Sequence, residues 1–268
     1  MGLLQLEEGR YRNAPVSASY LIPGKPEYLG GYADMILGTW DDWKELPQVV
    51  SSGVPLHRHE NATQDNDFWI NLVPALAPLS FPPARFAAER LAVATMPEYR
   101  MLDVGGGAGP WSVVWLGTNP RGHCDQLDLP NVNEVARRYV GSLVEQPNFD
   151  VIDGNMEETD LGEARYDHVI YCNVAHGLSA ERNLSMFRRI HAALRPGGTL
   201  VISGLMPYED RTGHPLLLMF NMNMILNTRL GATHLISDYR NWLAEAGFSR
   251  VTHQRLDSLP FTLIFASP

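Results

Sequence analysis

Met101-Leu-Asp-Val-Gly-Gly-Gly-Ala-Gly109 is the stretch that decides the fold. An apolar strand breaks there into closely spaced glycines, which is how a parallel sheet makes room for a nucleotide-like ligand. Gly105, Gly107 and Gly109 permit backbone angles and a closeness of approach that a Cβ would forbid, and 110–117 reads as the helix that follows. Taken alone, the pattern is weak evidence, since the same spacing serves dinucleotide sites and a tight structural turn is the alternative. Downstream, Gly122-His-Cys-Asp-Gln-Leu-Asp128 reads as a second strand ending in an acid about twenty residues beyond the glycines, where a ribose would lie. Asp128 either accepts hydrogen bonds from both hydroxyls of an adenosine or caps the next helix.

From Arg100 onward strands and helices alternate, with strands at 101–104, 122–127, 149–152, 167–171 and 199–203, and an antiparallel pair at 251–256 and 261–266. That order predicts an α/β fold with a doubly wound sheet, whose ligands bind beyond the carboxyl ends of the strands. Upstream, 67–94 predicts two helices, the second opening on Pro82 and Pro83, residues suited to a first turn. Residues 1–55 carry short elements without long periodicity and read as a tail. At 236–248, Ser237 reads as the cap and Gly247 as the stop of a further helix.

The 268 residues, 45% of them hydrophobic, are enough for one sizeable α/β domain with an appendage. A net charge of −9 with no basic run excludes nucleic acid as the main partner. Cys124 and Cys172, both in predicted strands, point to buried thiols in a reducing, cytoplasmic setting. There is no signal peptide and no apolar run of membrane length, so no membrane association is expected.

Four further motifs follow the glycines in one order: Asp128-Leu-Pro-Asn-Val132, Asn173-Val-Ala-His176, Leu194-Arg-Pro-Gly-Gly198 and Glu245-Ala-Gly-Phe248. With them the chain resembles, over nearly its whole length, the S-adenosylmethionine-dependent O-methyltransferases of the plant caffeic acid type and their bacterial natural-product relatives. The resemblance implies a Rossmann-like class I methyltransferase sheet with an antiparallel carboxy-terminal hairpin. It divides the chain into the remnant of a winged-helix dimerisation domain at 1–55, a helical cap at 56–98 and a catalytic domain binding S-adenosyl-L-methionine at 99–268. In that reading Gly9-Arg-Tyr is the wing and the Trp40-Asp-Asp-Trp43 stretch the linking helix. The remaining helices of the winged-helix domain would precede Met1, either trimmed away or supplied by another polypeptide, which leaves the family's homodimer in question here.

The same resemblance implies a site. Asp103, Gly105, Gly107, Gly109, Asp128, Leu129, Asn155, Met156 and Cys172 would hold the cofactor, with Asn155 where relatives place an acid that accepts from the adenine amino group, and Cys172 where plant relatives often place a lysine. An amide oxygen can still accept that bond, and a structural cysteine is the equally good reading of Cys172. Trp69 and Phe81 would face the acceptor, with core packing as the alternative. The run 216–226 is either core or a wall that grips a flat acceptor through Met222 and Asn221.

His176 would take the proton from an attacking hydroxyl; the chemistry otherwise needs an in-line approach and a dry pocket. Two departures stand against it: Gly177-Leu178 replaces the Asp-Trp of relatives, and the glutamates that orient the base in plant enzymes fall at Ser203 and roughly Thr233. The expected function is methyl transfer to a hydroxyl of a small aromatic acceptor. The alternatives are C- or N-methylation, a repurposed cofactor-binding enzyme of cyclisation or decarboxylation, and a subunit that binds the cofactor without turnover. His176, His214 and His234 lack diagnostic metal spacing, so no metal is expected.

Overall fold

The computed structural model describes residues 2–56, 67–256 and 259–268. At the amino end β1 (Leu4–Glu7) and β2 (Arg10–Asn13) form an antiparallel hairpin, followed by α1 (Pro15–Tyr20), α2 (Gly30–Gly38) and α3 (Leu46–Ser52). The segment is no free tail. Ala14, Ser17 and Val49 are buried, and the Leu56 amide donates to the Leu226 carbonyl at 2.9 Å, so α3 docks on a helix of the carboxy-terminal half. Of the predicted cap segment, residues 57–66 lie outside those described.

One helix, α4 (Asp67–Arg90), replaces the two predicted, and it runs through Pro74, Pro78, Pro82 and Pro83. Each proline removes an amide donor and favours a break. The compensation is burial: Ala77, Phe81, Ala84 and Ala88 recur at helical spacing and are all buried, on a stripe whose position in the core outweighs local propensity.

The remaining elements are β3 (Arg100–Val104), α5 (Pro110–Thr118), β4 (His123–Asp128), α6 (Pro130–Leu143), β5 (Phe149–Asp153), β6 (Tyr166–Cys172), α7 (Ala180–Ala193), β7 (Leu194–Gly204), α8 (Pro215–Asn227), α9 (Ile236–Glu245), β8 (Arg250–Arg255) and β9 (Thr262–Ser267). The sheet order is β5-β4-β3-β6-β7-β9-β8, parallel from β5 to β7, with β9 antiparallel to both neighbours. β7 begins earlier than predicted because Leu194 already pairs with Tyr166 before the register shifts at His168. At α9 the capping residue is Leu235, whose amide donates to Asp238 at 2.8 Å, while Ser237 donates its hydroxyl to Glu209 at 2.6 Å.

Period-2 alternation sends the strands' side chains to two cores. Leu102, Val104, Val169, Tyr171, Leu200 and Ile202 face Phe187 and Ile190 of α7 and Leu243 of α9. Met101, Ile170 and Val201 face Phe81 of α4 and Trp111 and Trp115 of α5. Chain order reverses at β3, with β4 on one side and β6 on the other, so the crevice for a ligand opens above β3 and β6. Among the described residues no helix is long and apolar enough to cross a membrane.

Candidate active site

The loop after β3 is built to leave space. Gly105, Gly107 and Gly109 all have positive φ (68°, 60° and 81°). At Gly105 a Cβ would stand 2.8 Å from Val174 Cγ2 on the loop after β6, so the two loops meet only because that side chain is missing. Asp128, at the end of β4, accepts from the Gly107 amide at 2.9 Å and the Leu129 amide at 2.8 Å. Gln126, on the same face of β4, donates to the Gly107 carbonyl at 3.0 Å and to Asn133 Oδ1 at 3.1 Å. Asn133 donates in turn to the carbonyls of Asp128 and Ile152 at 3.0 Å and to Asp153 at 2.8 Å, tying the ends of β4 and β5 together. The sequence reading missed Gln126 and Asn133; the signals were the period-2 relation of 126 to 128 and the place of 133 in the first turns after Asp128-Leu-Pro.

Under this cradle lies a polar floor. Asp103, Cys172 and Ser203 end three adjacent strands on the face toward α5, with Cys172 paired in register to Ser203. Asp103 is wholly buried, and among the described residues neither of its oxygens has a hydrogen-bond partner. Burial, then the neighbouring charge of Asp128, pushes its pKa up to about 8. Burial likewise raises Asp128 to about 6, against the pull of its two amide donors. Two acids in one site push their ionisations apart, so at neutral pH Asp128 carries the charge. Burial pushes the Cys172 thiol up to about 12, which makes it a neutral neighbour of Trp111, Ser203 and Ser80. Orphaned buried acceptors, a charged carboxylate over a glycine cradle and the half-buried Met156, its sulfur 3.9 Å from where a Gly105 Cβ would sit, suit a cationic amino-acid-bearing nucleoside.

His176 lies past the end of the next strand over, in the 3-10 turn Ala175–Gly177 that follows β6. Its ring meets Phe220 of α8 edge-on at 4.8 Å between centroids. Burial, then His234, lowers its pKa to about 4, so the imidazole is neutral at pH 7. Behind it Asn183 Nδ2 donates to the carbonyls of Ala175 (2.9 Å), Leu178 (3.2 Å) and Ser179 (3.1 Å), holding the turn against α7.

The structure brings some predicted residues together and not others. Trp69 stands one turn before Val73, whose Cβ would be 3.4 Å from a Cβ on Gly107, so this face of α4 roofs the glycine loop. Phe81, two turns further on, is buried in the core with Trp111 and Trp115. On α8 it is Phe220 that meets His176, while Met222 is 41% exposed on a stripe with Leu218 and Ile225. Asn221 Oδ1 accepts from the Thr233 amide (3.1 Å) and hydroxyl (2.9 Å), which leaves its amide N–H groups for a ligand. Asn155 is exposed and its oxygen accepts from the Glu157 amide at 3.0 Å. His214 accepts from the Leu216 amide at 3.2 Å as the cap of α8, apart from the other two histidines. Among the described residues a metal-like cluster, His123, Asp125 and Asp150, sits at the opposite ends of the strands, where Asp125 is already paired with Arg100 at 2.8 Å.

The O-methyltransferase domain family matches residues 87–249. The chain is 28% identical to 3-hydroxy-5-methyl-1-naphthoate 3-O-methyltransferase of Streptomyces sahachiroi, covering 100% of this chain and 75% of that protein. It is 26% identical to the tetracenomycin polyketide synthesis 8-O-methyl transferase of Streptomyces glaucescens, over 94% of this chain and 75% of that one. Human N-acetylserotonin methyltransferase, solved in complex with S-adenosylmethionine, superposes with a TM-score of 0.82 at 22% identity, covering 99% of this chain and 79% of the human one.

Proposed function

Because this chain belongs to the O-methyltransferase family and is an S-adenosylmethionine-dependent methyltransferase, we propose that it methylates an aromatic hydroxyl, with His176 as the general base. When bound, the cofactor supplies a methyl group on a positively charged sulfur. Asp128 and the open backbone of Gly105, Gly107 and Gly109 would hold its nucleoside and amino-acid ends, with Leu129 and Met156 beside it, Asn155 flanking the adenine, and Asp103 and Cys172 beneath. Trp69, Phe220 and Asn221 bound the space for the acceptor.

The observation that carries the reading is the placement of His176 in the turn after β6, the strand next to the one that ends in the glycine loop, with its ring edge-on to Phe220. A neutral imidazole can accept a proton at its unbonded nitrogen. With its pKa lowered it is a weak base, so it serves an acidic hydroxyl: a phenol near 10 is within its reach far more than an alcohol near the value of water, about 16. The naphthoate and polyketide acceptors in the names of two relatives support the same class. Both cysteines are free, in keeping with a cytoplasmic setting. Exposed Leu4, Leu6, Tyr11, Leu37 and Trp40 support residues 1–55 as part of an assembly domain that pairs with a second copy.

The test is turnover with radiolabelled S-adenosylmethionine and a panel of hydroxynaphthoates. His176→Ala should leave S-adenosylhomocysteine binding intact and lower turnover on the order of a hundredfold or more. Unchanged turnover removes His176 from the role of base.

A further inference from the structure

The stretch after α8 doubles back across the turn that carries His176. The Ala232 amide donates to the His176 carbonyl at 2.9 Å, and Gly231 passes so close that a Cβ would lie 2.7 Å from that same oxygen. Thr233 is pinned to Asn221 of α8 by its amide and hydroxyl. His234 then places Nε2 3.2 Å from the Ala175 carbonyl and 3.3 Å from the Leu178 carbonyl, the two oxygens that bracket His176 in the chain. Carbonyls only accept, so Nε2 carries the proton and Nδ1 is the bare nitrogen of the neutral ring. The ring is fixed edge-on against Trp242 at 4.9 Å and Tyr239 at 6.1 Å on α9. Ala175 and Leu178 thus each receive one donor from Asn183 of α7 and one from His234, and the turn is clamped from both sides.

We propose that His234 is a positioning residue for His176: it clamps the turn that presents the base and, as an ionisable neighbour, extends toward lower pH the range in which the base stays unprotonated. The inference rests on His176 being the base. A side chain that only clamped would do so equally well as a neutral amide; an imidazole adds a charge that appears on acidification. The groups that face His234 are His176 from the turn and Asp238 and Tyr239 from α9, while Asn183 of α7 and Thr233 carry no charge. Asp238 favours the protonated ring, burial opposes it, and the Asp238 carboxylate is already bonded to the Leu235 amide at 2.8 Å. Once His234 gains its proton, a second positive charge on His176 meets repulsion, and the base remains neutral to lower pH than it otherwise would.

The experiment compares His234→Gln and His234→Ala in the whole protein saturated with S-adenosylhomocysteine. Glutamine keeps an N–H donor for the two carbonyls and cannot ionise. The imidazole resonance of His176, identified by its loss in His176→Ala, is followed by NMR against pH. In His234→Gln its midpoint should rise by about half a unit or more, roughly a threefold gain in proton affinity. In turnover with the hydroxynaphthoate panel, His234→Ala should lower kcat about tenfold with KM for S-adenosylmethionine within about twofold, and His234→Gln should recover most of that loss at pH 8 while its acid limb moves to higher pH. An unshifted His176 midpoint in His234→Gln, or equal kcat in wild type and His234→Ala, overturns the proposal. If His234→Ala does not fold, the glutamine titration decides alone. Full turnover in His176→Ala would instead sink the reading of the base, an outcome distinct from any result at position 234.

Discussion

Asp128→Asn tests the cofactor cradle most directly. The carboxylate accepts from the amides of Gly107 and Leu129 at 2.9 and 2.8 Å, and its ionised form is the one able to accept from sugar hydroxyls as well. An amide in its place must turn an NH2 toward one of those backbone donors and loses the charge. Hydrogen bonds to a charged acceptor contribute about 1.5–3 kcal/mol each, so losing two to the ligand weakens binding by about 3 kcal/mol, on the order of a hundredfold in Kd. Calorimetric titration with S-adenosylhomocysteine at pH 7.5 measures this. A pH series adds a second arm: with Asp128 raised to about 6, the wild type loses about tenfold in apparent affinity at pH 5, and the variant shows no such slope. Stability moves oppositely, because a folded-state pKa above the unfolded one means that apo stability declines as pH rises from the unfolded value toward about 6 and is level beyond it. Wild-type affinity in the variant at both pH values would refute the placement of the ligand over Asp128.

Two other substitutions separate site from core. Gly105→Ala puts a methyl group 2.8 Å from Val174 Cγ2 at a φ of 68°; urea unfolding should show a loss of about 2–4 kcal/mol, and an unchanged midpoint would mean the two loops have room to part. Phe81→Ala empties a buried core position and should lower stability by about 3–4 kcal/mol with KM for the acceptor unaltered, whereas a raised KM would return Phe81 to the pocket.

What was legible in the sequence is whatever strand and turn chemistry fixes locally. The glycine loop, the acid closing β4 and the alternation of strands and helices all follow from patterns within a few residues of one another. The single long helix α4 was not legible, since its prolines argue for a break and only burial of Ala77, Phe81, Ala84 and Ala88 argues otherwise. The alternatives for Phe81 and Met222, core or pocket, stayed open for the same reason: an apolar residue on a helix declares that one face is covered, not which element covers it. Asn183, Asn133 and the clamping contacts of His234 escaped notice because their partners are backbone carbonyls brought near by tertiary structure, and no spacing rule reports on those.

The prolines of α4 have a geometric consequence. Pro74, Pro78 and Pro82 recur every fourth residue, so the carbonyls they leave unbonded line one side of the rod. Bends at successive prolines would add in a common direction instead of cancelling, along a helix that passes from Val73 beside the glycine loop to Phe81 in the interior. Alanine at all three positions would restore the missing rungs and remove that bias, shifting Val73 relative to Gly107. The product would be a sturdier helix over a poorer enzyme.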